Sequence, residues 1–145
     1  MKIVVQRVSR ASVTVKGIVR GSIREGLLLL VGIHRDDDEE ILKWTTKKVL
    51  NLRIFEGDKG KMNKSVKDLN GGILVVSQFT LYGNTKKGNR PSFIEAAPPE
   101  IAEPIYERFI ANLKGSGLNI HTGKFGAMME VELVNNGPVT VIVEK

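Results

Sequence analysis

Two stretches constrain this chain more than any others. "LLLLVGI", Leu27 to Ile33, is a continuous apolar run, and "ILVVSQF", Ile73 to Phe79, carries a second one that ends in a polar pair. Runs of this kind suit strands covered on both faces, so the fold has to provide layers on each side of a sheet. The segments before the first run alternate instead. "KIVVQRV", "ASVTVKG" and "IVRGSI" read as strands with one buried face, with a hairpin turn at Lys16-Gly17. "RDDDEE" opens a helix, because acidic side chains favour the helix N-terminus and one Asp can cap it. Ile41, Thr45, Val49 and Leu52 give that helix one packed face.

"LRIF" is expected to be a short strand, followed by a turn at "EGDKGK". A second helix is predicted from about Glu100 to Leu113, with Ile101, Ile105, Phe109 and Leu113 along one side and Pro104 tightening or kinking its first turn. Three short strands around "LNIHTG", "MMEVELV" and "VTVIVE" are expected to finish the chain. The predicted class is α+β: a strongly curled, barrel-like mixed β-sheet with two packed helices, as a single domain over residues 1–145.

Charge suggests a partner. The chain has 22 Lys and Arg against 16 Asp and Glu, a net charge of +6. A basic surface on a domain of this size suits a polyanion, nucleic acid being the usual one, although a solvated basic surface is the plain alternative. Cysteine is absent, which removes disulfides, thiol nucleophiles and Cys-based zinc sites. The N-terminal segment has too short an apolar core and too many charges for a signal peptide, and no apolar stretch approaches membrane-spanning length. A cytoplasmic location is expected.

Familiar catalytic sets are nearly missing. His34 precedes three aspartates, which suggests a metal site, but the helix-cap reading explains the acids. His121 reads as an ordinary histidine near a strand end. Neither G-x-S-x-G nor a phosphate-binding glycine loop is present. What stands out is "SQFTLYG": Ser77, Gln78 and Thr80 follow a fully apolar strand, where polar groups have to find partners or lose stability. They form either an internal hydrogen-bond network or a ledge that holds donors toward a pocket. The basic loop "NTKKGNRPS" comes next, with Lys86, Lys87 and Arg90.

"NNGPVT", Asn135 to Thr140, also allows two readings. Asn, Gly and Pro together mark a turn. They also make a piece of backbone almost bare of side chain, suited to close approach by a ligand.

The segments "VVQRVSRASVTV", "NLRIF", "KMNKS", "SQFTLYG", "KGNRPSF", "TGKFGAMM" and "NNGPVT", in this order and spacing, resemble the D-aminoacyl-tRNA deacylase family over essentially the whole chain. Asn136 departs from the pattern, since many members carry Asp there. The resemblance implies a homodimer without cofactor or metal that cleaves the ester joining a D-amino acid to the 3′-terminal adenosine of tRNA. It implies that Ser77, Gln78, Phe79 and Thr80 line the pocket. Gly137 and Pro138 of the other subunit, joined by a cis bond and flanked by Asn135 and Thr140, would enter it. Bare main chain pressed against Cα excludes one hand of every amino acid, so L forms are rejected and glycine, having no side chain, is not. Glycyl-tRNA mischarged on tRNA(Ala) is therefore an expected substrate.

Positioning and an oxyanion site, formed by the Phe79 and Thr80 N–H groups, would suffice for a reactive ester assisted by the tRNA 2′-OH. Thr80 as a nucleophile is the rival, although no base accompanies it. Phe125 and Met129 are candidates for the pocket wall or the core. Lys86, Lys87 and Arg90, with Arg7 as a further candidate, are expected at phosphates. A non-catalytic tRNA-end binding module is the alternative function, although the paired aromatics of stacking platforms such as "GFGFV" are absent from the sequence.

Overall fold

Both apolar runs become neighbouring strands. The computed structural model describes residues 1–145. Its elements are β1 (Lys2–Val15), β2 (Ile18–Ile23), β3 (Gly26–Gly32), α1 (Glu39–Asn51), β4 (Phe55–Glu56), β5 (Met62–Lys64), β6 (Gly72–Ser77), α2 (Pro99–Lys114), β7 (Ile120–Thr122) and β8 (Glu130–Glu144). The main sheet runs β2-β1-β3-β6-β7, and β8 pairs with β1 along its other side. The sheet is mixed, because β3, β6 and β7 are parallel while the β1 pairings are antiparallel. β4 and β5 form a separate small ribbon.

The sheet curls until its ends nearly meet. A Cβ built on Gly21 in β2 would lie 3.0 Å from the Thr122 carbonyl oxygen in β7. Inside this barrel sit Val8, Ala11, Val13, Ile23, Leu28, Leu74 and Val76. The opposite side of β1, β3 and β6 carries Ile3, Val5, Leu27, Leu29, Ile73 and Val75 into a second cluster with Phe109 and Leu113 of α2 and Leu42 and Val49 of α1. Alternate residues of β3 and β6 thus enter two cores, as their unbroken apolar character requires.

Local signals act where expected. Asp38 caps α1 by accepting from the Ile41 N–H at 2.9 Å. Lys16 and Gly17 both have positive φ and make the β1–β2 hairpin turn. α2 continues through Pro104 to Lys114. Three expectations need correction. "KIVVQRV" and "ASVTV" are one strand, β1; the two C-terminal segments "MMEVELV" and "VTVIVE" are likewise one strand, β8; and in "LRIF" only the Phe enters a strand. Bulges explain the first two: the β1–β8 register shifts between Gln6 and Val8 and again between Val8 and Arg10. A bulge breaks the side-chain alternation without ending the strand.

Gly26 and Gly72 pair directly across β3 and β6, and a Cβ on Gly26 would fall 1.9 Å from the Gly72 carbonyl oxygen. Gly26→Ala should therefore force the two central strands apart and cost about 1–3 kcal/mol or more. A urea unfolding midpoint equal to that of the unaltered chain would contradict this close approach.

Candidate active site

Ser77 ends β6, and the ladder extends one bond further, from the Gln78 N–H to the Val31 carbonyl at 2.7 Å. The chain then tightens into a 3₁₀ turn over Phe79–Tyr82. The first N–H groups of a helical turn have no acceptor within it. Gln78 supplies no side-chain cap, and its amide donates instead to the Thr80 hydroxyl. The Phe79 and Thr80 N–H groups are thus held on a fixed turn with both residues exposed to solvent. Below them, the buried Tyr106 hydroxyl donates to the Val75 carbonyl at 3.0 Å, tying α2 to β6. Burial pushes the Tyr106 phenol far above its ordinary range, so it remains a neutral donor.

Residues 123–129 leave the sheet beside this turn, since Gly123 N–H donates to the Val75 carbonyl at 3.2 Å. Phe125 packs on Tyr106 with ring centroids 5.6 Å apart, at the edge of the helix-side core. Met129 packs on the barrel interior instead. The two candidate wall residues therefore belong to different clusters.

"NNGPVT" is not a chain-reversing turn. It is a bulge inside β8. Asn135 pairs with Val8 and Thr140 with Gln6, so residues 136–139 stand opposite Arg7 alone. The Asn135 side chain closes the bulge: its amide donates to the Val139 carbonyl at 3.1 Å and the Thr140 hydroxyl at 3.0 Å, and its oxygen accepts from the Val139 N–H at 2.7 Å. The Gly137-Pro138 bond is cis, and Gly137 has φ +144°. That angle favours glycine, and a Cβ there would also meet an Arg7 nitrogen at 2.9 Å. Gly137 and Pro138 project into solvent.

Arg7 differs from the phosphate contact expected of it. It is only 7% exposed. Its Nε donates to the Asn136 carbonyl and its Nη1 to the Ile54 carbonyl, both at 2.7 Å. Burial and these two bonds commit the guanidinium to the protein's own backbone. Asn136 contributes its main-chain oxygen, so the difference between Asn and Asp at this position does not touch the contact.

Within one protomer the two candidate segments are separated. The register runs from Arg7 to Leu27 to Ile73. Ser77 lies further along β6, from position 73 to 77, or roughly 13 Å up the sheet from the bulge and three strands across. Clefts of about 580 and 400 Å³ lie along α2 and between α2 and β7, and neither includes Ser77, Gln78, Phe79 or Thr80.

The basic loop follows the turn. Its ends are joined by paired bonds between Asn84 and Ser92 at 2.8 and 3.0 Å, leaving Lys86, Lys87 and Arg90 exposed. At its base, Phe79 and Phe93 meet edge to face, with centroids 5.1 Å apart and planes at 71°. Sequence patterns miss this pair because the rings come from opposite sides of the loop rather than from one strand. His34, by contrast, is held among its own acids: its N–H donates to Asp37 and its Nδ1 accepts from the Asp36 N–H.

Comparison with known proteins identifies the family of the chain. The family model described as D-Tyr-tRNA(Tyr) deacylase matches residues 4–144. The chain belongs to that family. D-aminoacyl-tRNA deacylases of Brevibacillus brevis and Thermotoga petrophila are 58% and 56% identical to it, over 99% of this chain and 99% and 97% of theirs. A solved structure described as a c-Myc DNA unwinding element binding protein superposes with a TM-score of 0.94 at 47% identity, covering 100% of this chain and 99% of that one. A probable eukaryotic D-amino acid tRNA deacylase shares the fold, with a TM-score of 0.85 at 17% identity over 98% of this chain and 97% of that one. No helix of this family member is long and apolar enough to cross a membrane.

Arg7→Ala should leave two carbonyls without their donor, lowering stability by about 1–3 kcal/mol, while the salt dependence of tRNA binding keeps its slope. Combined alanine substitution at Lys86, Lys87 and Arg90 should flatten that slope. Urea unfolding and filter binding at several salt concentrations measure both. The reverse pattern would return Arg7 to the phosphate-contact role.

Proposed function

We propose that this chain hydrolyses the ester between a D-amino acid and the 3′-terminal adenosine of tRNA and leaves the L-aminoacyl ester intact. Water adds to the ester carbonyl, the carbon–oxygen bond to the ribose breaks, and the ribose oxygen departs with a proton. Family membership supports the reaction class. The observation that supports the detailed reading is that two unlike exposed segments stand apart in one protomer. One is a turn with two free backbone donors; the other is an exposed Gly-Pro segment fixed from behind and unable to reach that turn in its own protomer.

In this reading the Phe79 and Thr80 N–H groups bind the developing oxyanion, and Ser77 and Gln78 orient the terminal adenosine. Donors that need no rearrangement supply much of the stabilisation; removing one such donor typically costs about 10²–10³ in rate. The tRNA 2′-OH is the activating group. The Thr80 hydroxyl already accepts from Gln78, and no histidine or carboxylate lies on its turn, which favours a positioning role over a nucleophilic one. The partner subunit's bulge brings its carbonyl oxygens to the substrate ammonium and blocks the L side chain.

A homodimer follows from the same reading. Val76, Leu30, Val4 and Ile142 form one cross-strand row, from the end of β6 to β8. Val76 is buried at one end, whereas Ile142 is 63% exposed at the other. Thr140 lies on the same face, next to the bulge. A second copy on this apolar row would cover it and bring the bulge near the partner's turn.

Incubating the chain with D-tyrosyl-tRNA and L-tyrosyl-tRNA tests the function. Release of tyrosine from the D form alone is expected, together with release of glycine from glycyl-tRNA(Ala). Binding of both tyrosyl forms without release would leave a binding module. A D-tyrosyl-tRNA ending in 2′-deoxyadenosine should be cleaved far more slowly; equal cleavage would remove the 2′-OH from the mechanism.

A further inference from the structure

Phe79 and Phe93 form an aromatic pair that the fold leaves open: the two residues are 58% and 37% exposed. Edge-to-face contact at 71° sets the edge of one ring against one face of the other and so covers only one of the four ring faces. The pair is also held in place. A Cβ on Gly83 would meet the Phe93 ring at 3.0 Å, so the ring lies against that backbone, and Phe93 directly follows the Asn84–Ser92 closure. The main chain of Phe79 belongs to the turn of the proposed ester site, and the ring pair stands at the base of the loop, closed by Asn84 and Ser92, that carries the exposed cations Lys86, Lys87 and Arg90. A single strand running from that turn to those cations would pass the loop base, where the aromatic rings stand.

We infer that Phe93, supported edge to face by Phe79, is a stacking platform for the base of the nucleotide immediately before the terminal adenosine. The inference rests on the deacylase reading for the position of that adenosine. Aromatic side chains beside a cationic groove are the usual way to hold unpaired nucleotides, and stacking tolerates any base because every base has a π-face. The platform thus adds affinity for an RNA end without reading its sequence. A flexible surface ring would lose conformational freedom on stacking, whereas this one is already packed on Gly83 and Phe79.

The test uses two D-aminoacyl substrates, one ending in an intact dinucleotide and one with an abasic residue before the terminal adenosine. With the unaltered chain, the missing base should lower kcat/KM by about 5- to 150-fold, the range expected for one base stacked on an aromatic ring. In Phe93→Ala the intact and abasic substrates should be cleaved alike, and Phe93→Trp should restore the difference. A difference that survives unchanged in Phe93→Ala would overturn the platform. So would a change in oligomeric mass on this substitution, seen by sedimentation, since the ring would then belong to a protein interface. If the unaltered chain releases no D-amino acid from either substrate, the deacylase reading fails. Stacking is then judged by whether Phe93→Ala abolishes the preference for the intact dinucleotide in binding.

Discussion

The Arg7 guanidinium is the fixed point around which the candidate site is arranged. It sits on the one β1 residue faced by the whole 136–139 bulge, and its bonds to the Asn136 and Ile54 carbonyls tie that bulge to the segment after α1. A loop of Gly and Pro has few contacts of its own, so its position depends on groups around it. Arg7 grips it from behind and Asn135 closes its neck. The front of the loop is left as bare main chain, the surface that the proposed discrimination by hand rather than by side-chain type needs.

The barrel serves the other half of the site. Parallel β3, β6 and β7 deliver their C-terminal ends to one edge, where β6 runs into the Phe79–Tyr82 turn. Two cores hold these strands from both sides, and the Tyr106 hydroxyl fixes β6 just before it turns. Rigidity at this point is what the proposed oxyanion role of the turn requires, because donors already in place need not reorganise as charge develops. The two halves are built by different devices, a stapled bulge and a buried strand end, and each remains exposed in the isolated protomer.

Much of this was legible in the residues. The unbroken apolar runs announced strands between two layers, "RDDDEE" announced a capped helix, and the polar residues after "ILVV" marked where β6 ends. The continuity of β1 and β8 was hidden, because bulges interrupt alternation and Pro reads as a strand breaker. Arg7 was misread for a related reason. A cation in a strand is usually solvated, and only the bulge opposite shows why this one is buried. The Phe79–Phe93 contact depends on how the basic loop closes, so no local pattern encodes it.

The claim that each site takes its Gly-Pro segment from the other protomer is tested most directly by mixing subunits. One variant, Gly137→Val, disables the bulge; the other, Thr80→Tyr, fills the cleft. Each alone should lack activity on D-tyrosyl-tRNA. In a two-fold dimer, random exchange should return about a quarter of the unaltered activity, because each mixed dimer regains one complete site. Mixed dimers that form and stay inactive would show that bulge and cleft do not work across the subunit boundary.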